Sequence, residues 1–152
     1  MILVRHAHKG TSATDPRDPP LDGVGVEQAR LLARMMRDAG IDRVIVSNFR
    51  RTRETAAPVA AMNPGVPVNE SGDFDASTTS AEIAAMIRAA ASAGRSVLVV
   101  AHSNQIPGIL DELGGWGVPV LAESDYSFVF IVTLRADGSC SLIRAGYPPS
   151  AG

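Results

Sequence analysis

Four side chains of this 152-residue chain could together act on a phosphoryl group: Arg5, His6, Arg51 and His102. Neutral imidazole is a competent nucleophile toward phosphorus, and its reference pKa of about 6.5 keeps much of it neutral near neutral pH. Its second ring nitrogen must be fixed by an acceptor, often a backbone carbonyl. A phosphoryl group in transfer carries charge on three equatorial oxygens, which the arginine fork binds at two points. These residue types predict that His6 attacks phosphorus while the other three hold the phosphoryl oxygens.

Short apolar runs supply the strands that could position these side chains. Five runs predict strands, at 2–4, 44–46, 97–100, 128–132 and 141–143. The first three are compact and β-branched, which is typical of strands buried on both faces of a sheet. The last two are expected to pair across the turn Ala136-Asp137-Gly138. Arg5 and His6 directly follow the first strand, and His102 follows the third.

Helical stretches lie between the predicted strands. Apolar spacing and end signals predict helices at 24–39, 53–62, 80–93 and 105–113. Asp22 is expected to be the N-cap of the first helix, and Gly40 to end it. The alternation of strands and helices predicts an α/β fold with a mainly parallel sheet, in a single domain over 1–152. Ligands of such sheets bind beyond the carboxyl ends of the strands, where the candidate side chains fall.

Four segments, in chain order, resemble the motifs of one known family. They are Val4-Arg5-His6-Ala7, the spaced residues Pro20-Leu21, Gly25 and Gln28-Ala29, the stretch 47–56, and the stretch 97–104. They are similar to R-H-G/A, P-L-T-x-x-G-x-x-Q-A, S-x-L-x-R-A-x-x-T-A and V-L-V-V-G/S-H of the histidine phosphatases, also called phosphoglycerate mutase-like proteins. The third match puts the second arginine of the family at Arg51, and not at Arg50 or Arg53.

The resemblance implies a fold, an activity and a set of site residues. The fold is a three-layer α/β/α sandwich, and the reaction passes through a phosphohistidine intermediate on His6, with no metal and no other cofactor. Arg5, Arg51 and His102 would bind the phosphoryl group. Ser12 stands where the family often places a small polar phosphate contact. The chain is most similar to the short branch that cleaves phosphohistidine.

The proton donor for the leaving group is open. Val68-Asn69-Glu70 resembles the L-N-E stretch that carries the glutamate of the mutases, so Glu70 is the first choice. Asp73, Asp75 and His8 are the alternatives, because a carboxylic acid or a histidine can protonate a departing alkoxide. A substrate such as phosphohistidine needs little protonation of its leaving group by the enzyme, since imidazole leaves easily.

Net charge and cysteine content bear on the expected partners and compartment. The formal net charge of -2 gives no reason to expect nucleic acid or an anionic membrane as a partner. The single cysteine, Cys140, excludes an internal disulfide and favours a reducing compartment, so a cytoplasmic protein is expected. The short apolar start at 1–4 is too short for a signal segment.

The sequence therefore predicts a phosphatase that hydrolyses a phosphomonoester or a phosphohistidine. Its partner would be a small phosphorylated metabolite or a phosphohistidine protein, selected by the irregular loops at 9–20 and 69–79. A mutase is disfavoured because short connections leave the intermediate open to water. One alternative is a non-catalytic phosphate or phosphopeptide sensor. The other is a metal-dependent hydrolase that uses His6-Ala7-His8, with His102 as a third ligand.

Overall fold

A computed structural model of the chain describes residues 1–146, in which five strands form one sheet. The strands are β1 (Ile2–Arg5), β2 (Arg43–Val46), β3 (Val97–Ala101), β4 (Phe128–Leu134) and β5 (Cys140–Gly146). Their order across the sheet is β2-β3-β1-β4-β5. β3 pairs in parallel with both β1 and β2, whereas β4 pairs antiparallel with β1 and with β5.

The sheet is therefore mixed, and the prediction of a mainly parallel sheet holds only for its β2-β3-β1 half. The reason is the predicted hairpin, which is confirmed: β4 and β5 are joined by a tight turn, closed by the Arg135 amide bonding to the Ser139 carbonyl at 2.9 Å. A turn this short can join only antiparallel strands, because a parallel pair needs a crossover connection.

Helices cover both faces of the sheet. They are α1 (Gly23–Met35), α2 (Arg50–Met62), α3 (Ser80–Ser92) and α4 (Ile106–Gly114). α1 and α2 pack on one face, and α3 and α4 pack on the other. Successive strand side chains point to opposite faces, so Leu3 packs against α3 and α4 while Val4 packs against α1 and α2. The three-layer α/β/α architecture is confirmed.

Two helix boundaries differ by three or more residues from those that the sequence predicts, and the others agree to within one residue. The expectation that Gly40 ends the first helix is wrong. α1 ends at Met35, and the segment 36–39 continues as tight turns with bonds between amides and carbonyls three residues apart. α2 begins three residues early, at Arg50, because amides of its first turn already bond to the carbonyl of Phe49. The early start of α2 brings its first turn to the sheet edge where β2 ends.

The prediction of a single domain over 1–152 includes residues 147–152, which lie outside the described residues, and it stays a prediction. Within 1–146, no helix combines the length and the apolar character needed to cross a membrane.

α1 is docked tightly against the chain that follows β1. The Asp22 side chain accepts from the Gly25 amide at 2.8 Å and caps the helix, as the sequence predicts. The Asp22 amide donates to the carbonyl of His8, and the Gln28 side chain accepts from the His8 amide at 2.9 Å. A Cβ placed on Gly25 would lie 2.0 Å from that same carbonyl oxygen. Glycine is therefore required for this approach.

We expect Gly25→Ala to destabilise the protein by about 1–3 kcal/mol, because overpacking against a fixed backbone costs about that much. The measurement is the free energy of unfolding by urea. Gly23→Ala is the matched control, since a Cβ on Gly23 in the same helix meets no atom within 4 Å. Equal stability of the two variants would show that α1 can shift away from His8 at no cost.

Candidate active site

The two central parallel strands end at the same level and deliver two histidines side by side. Arg5 pairs in register with Ala101, and the His6 amide donates to the Ala101 carbonyl at 3.0 Å. His6 and His102 are the next residues of their strands, and their ring centroids lie 5.2 Å apart. That separation allows one tetrahedral anion to touch both rings.

These side chains line a cavity of about 230 Å³ at the carboxyl edge of the parallel strands. The residues that line it are Arg5, His6, Lys9, Phe49, Arg51, Ala76, His102, Ser103, Asn104, Gln105 and Glu123. The structure therefore brings all four predicted residues to one cavity. α4 begins next to the lining residue Gln105, so its N-terminal partial positive charge also lies beside the cavity.

His6 is held as a neutral ring whose Nε2 has no hydrogen-bond partner within residues 1–146. Its Nδ1 lies 2.8 Å from the Ala7 carbonyl, which can only accept, so Nδ1 carries the hydrogen and Nε2 keeps its lone pair. Burial lowers the pKa of His6 to about 3. The hydrogen bond to Ala7 acts in the opposite direction and raises the pKa, whereas the charges of His102, Arg51 and Arg5 lower it further. Nε2 is thus available as a nucleophile at neutral pH.

Arg5 is buried and anchored by backbone. Its NH1 donates to the carbonyls of Ala122, Glu123 and Asp125 at 2.9–3.1 Å, and its guanidinium stacks 3.9 Å from the ring centroid of Tyr126. NH2 forms a longer contact of 3.4 Å with the Glu123 carboxylate. Nε is buried and has no hydrogen-bond partner within the described part of the chain.

Arg51 repeats this pattern from the first turn of α2. Its guanidinium stacks 4.2 Å from the ring centroid of Phe49, and its NH1 lies 3.7 Å from Asp18. Its Nε is buried and, among residues 1–146, has no partner. Burial lowers the pKa of Arg51, which its contact with Asp18 opposes. Arg5 and Arg51, which both line the cavity, thus each hold one buried Nε–H group without a partner in the described residues.

The neighbouring arginines are engaged elsewhere. Arg50 forms an ion pair with Glu54 one helical turn later, and Arg53 donates to the carbonyl of Asn48. Neither of them lines the cavity. Of the three arginines at the start of α2, the one in the cavity is therefore Arg51, as the motif register predicts.

Buried polar side chains fix the chain around the nucleophile. The Thr55 hydroxyl accepts from the Ala7 amide at 2.9 Å and donates to the Arg51 carbonyl at 2.7 Å. Thr55 therefore ties the residue after His6 to the helix that carries Arg51. Thr55 was not predicted from the sequence, although the two threonines Thr52 and Thr55 on the buried face of α2 were a usable signal.

The structure does not bring Glu70 or Ser12 into the cavity. Glu70 is exposed on the turn 69–72, and it is not among the lining residues. Ser12 lies in the loop before α1, where its hydroxyl contacts Thr14 and accepts from the Asp15 amide. The local reason is the same for both, because each side chain belongs to a surface turn.

The alternative proton donors are also engaged outside the cavity. Asp73 accepts from Arg43 at 2.7 Å and from the Val46 amide at 3.0 Å. Asp75 accepts from hydroxyl and amide groups of its own loop, which lowers its pKa. His8 is bound through Nδ1 to Asp22 at 2.6 Å, and its ring centroid lies 4.9 Å from that of Tyr126.

Sequence reasoning missed the loop before β4. Glu123 lines the cavity with a side chain that is 83% exposed, so it stands at the mouth. Tyr126 contacts Arg5 and lies 5.9 Å from His6 between ring centroids. No local pattern in the sequence pointed to this loop, because its place follows from the antiparallel pairing of β4 with β1, which puts the first residues of β4 at the edge where β1 ends.

The structure does not assemble the metal site of the alternative interpretation. Within residues 1–146, no three His, Cys, Asp or Glu side chains are grouped to hold a metal ion. In His6-Ala7-His8, the Nδ1 atoms of both rings are bonded to other partners, the Ala7 carbonyl and Asp22.

Comparison with known proteins places the chain in a family. The model of the histidine phosphatase superfamily, branch 1, matches residues 1–76. No curated protein sequence matches the chain. The protein histidine phosphatase SixA complexed with tungstate has a similar structure, with a TM-score of 0.73, 22% identity and 95% of each chain covered.

Two further solved structures are similar. A putative phosphohistidine phosphatase SixA from Nakamurella multipartitia has a TM-score of 0.62 and 26% identity, with 85% of this chain and 81% of its own covered. A mycobacterial glucosyl-3-phosphoglycerate phosphatase in complex with VO3 has a TM-score of 0.63 and 16% identity, with 99% of each chain covered.

The family match covers half of the chain and contains the segments that hold His6 and Arg51 at the cavity. The resemblance read from the sequence is thereby confirmed. This chain belongs to branch 1 of the histidine phosphatase superfamily.

Proposed function

We propose that this protein is a phosphatase that hydrolyses a phosphomonoester or a phosphohistidine through a covalent intermediate on His6. The observation that carries the proposal is the free Nε2 of a neutral His6, in a cavity where two arginine Nε–H groups have no partner in the described chain. The cavity thus combines a nucleophile with unused donors for the group that it attacks.

The first step follows from the charges in the cavity. Arg5 and Arg51 would donate to the phosphoryl oxygens, and the N-terminus of α4 would add partial positive charge. The His6 Nε2 lone pair forms the N–P bond while the bond to the leaving group breaks on the opposite side of phosphorus. Donors held in place beforehand would stabilise the charge that grows on the equatorial oxygens, which lowers the barrier.

The second step returns the enzyme to its starting state. Water attacks phosphorus from the side that the leaving group has vacated, the N–P bond breaks, and its electron pair returns to Nε2. Inorganic phosphate leaves. The cavity supports this step because its mouth, where Glu123 stands, is open to solvent. The arginines supply the charge stabilisation, so the proposal assigns no role to a metal or another cofactor.

The candidates for the proton donor to a basic leaving group are Glu70, its alternatives Asp73, Asp75 and His8, and Glu123. Glu70 stays the prediction from the sequence, although it does not line the cavity in this structure. Glu123 does line the cavity, and within residues 1–146 it is the one carboxylate that does so. We therefore propose Glu123 as the group that transfers a proton to the leaving group and from the attacking water.

The substrate is proposed as a class only. One structural neighbour is a protein histidine phosphatase, and another is a glucosyl-3-phosphoglycerate phosphatase. A small phosphorylated metabolite and a phosphohistidine protein both remain in the proposal, with Lys9 and Glu123 as the charged side chains beside the phosphoryl site. A panel of both kinds of substrate would identify the better one.

We expect His6→Ala to abolish phosphatase activity while leaving the fold intact, because the variant removes the imidazole nitrogen that forms the N–P bond in the proposed first step. Rapid quench of the wild type with labelled substrate should trap an acid-labile phosphate on His6. Circular dichroism checks the fold of the variant. Acid-stable label on a serine, or label on an aspartate, would refute the intermediate.

We expect Arg51→Ala to lower kcat/KM for p-nitrophenyl phosphate by a factor on the order of 10²–10³, as for the loss of one donor to a developing oxyanion. Arg50→Ala is the matched control, since it removes the same charge one residue away and outside the cavity. The control should stay near wild type. Equal losses would mean that net charge, and not the Arg51 donor, is responsible.

Glu123→Gln is expected to slow hydrolysis of alkyl phosphates by a factor on the order of 10²–10⁴ and to have little effect on p-nitrophenyl phosphate. The reason is that an alkoxide needs a proton in the transition state, whereas a nitrophenolate does not. Glu70→Gln and His8→Asn, assayed on both substrates, are the comparison. A selective loss in one of these would transfer the role to that residue, and equal losses on both substrates would exclude proton transfer.

A further inference from the structure

The second histidine of the cavity, His102, is hydrogen-bonded to a chain of two buried hydroxyl groups, those of Ser47 and Thr52. His102 Nε2 lies 2.9 Å from the Ser47 hydroxyl, and the Ser47 hydroxyl lies 2.9 Å from the Thr52 hydroxyl. The Thr52 hydroxyl in turn lies 2.8 Å from the carbonyl oxygen of Phe49. The four groups form one chain of hydrogen bonds that begins at the imidazole and ends on backbone.

The direction of each hydrogen bond in this chain is fixed by its last member. The Thr52 hydroxyl lies 2.8 Å from the Phe49 carbonyl and 3.1 Å from the Ser47 carbonyl. Carbonyl oxygens can only accept, so the single hydroxyl hydrogen of Thr52 is assigned to one of them. Ser47 must then donate its own hydrogen to Thr52, because Thr52 has none left for that contact. With its hydrogen used, Ser47 can only accept from His102. The hydrogen of a neutral His102 therefore lies on Nε2.

This assignment leaves His102 Nδ1 as a lone pair. The ring lines the cavity, and within residues 1–146 its Nδ1 has no hydrogen-bond partner. Burial lowers the pKa of His102 to about 3, and the charges of Arg51, Arg5 and Lys9 act in the same direction, so the ring is neutral in the free protein near neutral pH. A phosphoryl oxygen is also an acceptor. The two atoms can approach each other only if a proton lies between them.

We propose that Ser47 is a positioning residue that fixes the proton of His102 on Nε2, and that the cavity takes up one proton from solvent when it binds a dianionic phosphoryl group. The shared proton would lie between Nδ1 and a phosphoryl oxygen. A group that already carries that proton, a monoanion, would bind without uptake. The inference rests on the proposed function in one respect, namely that this cavity binds phosphoryl groups.

Other groups in the cavity could in principle accept the proton. Arg5, Arg51 and Lys9 already carry their protons, which leaves the His6 ring and the Glu123 carboxylate as competitors. His6 Nε2 would lose its lone pair by accepting, which would abolish its use as a nucleophile. Glu123 stands at the mouth, in contact with Arg5. The experiment must therefore locate the proton as well as count it.

The number of protons taken up on binding is measured by calorimetry with inorganic phosphate in buffers of different ionisation enthalpy. Near pH 8, where phosphate is mainly a dianion, uptake should be about one proton per site, and near pH 5.5 it should approach zero. His102→Asn should lose the uptake, whereas Glu123→Gln should keep it. Binding without uptake near pH 8 would overturn this inference alone. Absence of phosphate binding would overturn the proposed function together with the uptake.

The ring nitrogen of His102 that carries the proton is identified by nitrogen-15 NMR of labelled histidine, which needs no ligand. The free protein should show His102 protonated at Nε2 and bare at Nδ1. A proton on Nδ1 in the free protein would overturn the inference whatever the function of the cavity. Ser47→Ala should give a mixture of both tautomers, because nothing then fixes the proton.

Thr52 offers a matched pair of variants. Thr52→Ser keeps the hydroxyl, so the His102 tautomer and the proton uptake should match the wild type. Thr52→Val keeps the shape but removes the acceptor, which frees the Ser47 hydrogen to turn toward His102 Nε2 and moves the ring proton to Nδ1. Phosphate should then bind with uptake reduced from about one proton toward zero. An unchanged tautomer and uptake in Thr52→Val would show that the chain of hydroxyls does not fix the proton.

Discussion

The in-register parallel pairing of β1 with β3 is the constraint on which the site and the core both depend. It aligns Arg5 with Ala101, so the next residue of each strand is a histidine at the same edge. A shift of one residue would turn every side chain of β1 to the other face of the sheet. Leu3 and Val4 would exchange their hydrophobic layers, and the two rings would separate. The buried strands therefore specify the site with the same contacts that stabilise the fold.

Two cationic side chains that line the cavity each keep a buried donor without a partner among residues 1–146. A buried polar group without a hydrogen bond costs about 1–3 kcal/mol, and Arg5 and Arg51 each hold one such Nε–H in the described structure. The same burial and the same charges keep both histidines neutral. The positive charges of Arg5 and Arg51 thus have two effects. They would attract a phosphoryl group, and they disfavour protonation of His6.

The sequence predicts the strands, the hairpin and the four residues of the cavity because each depends on local patterns. Buried β-branched runs identify strands, and a residue after such a run must lie at the sheet edge. The position of Glu70 could not be predicted in this way, since it depends on how the turn 69–72 folds. The mixed sheet and Glu123 could not be predicted either, because the direction of β4 relative to β1 is a long-range feature that the apolar run 128–132 does not reveal.

Arg5 contacts the loop before β4 through main-chain oxygens of Ala122, Glu123 and Asp125. Carbonyl groups are present whatever the side chain, so the anchoring of this loop is independent of most of its sequence. Side chains at the mouth of the cavity can therefore vary during evolution while the backbone stays beside the phosphoryl site. An arginine that binds the phosphoryl group would in this way also make the adjacent surface a place where new substrate preferences arise at little cost to stability.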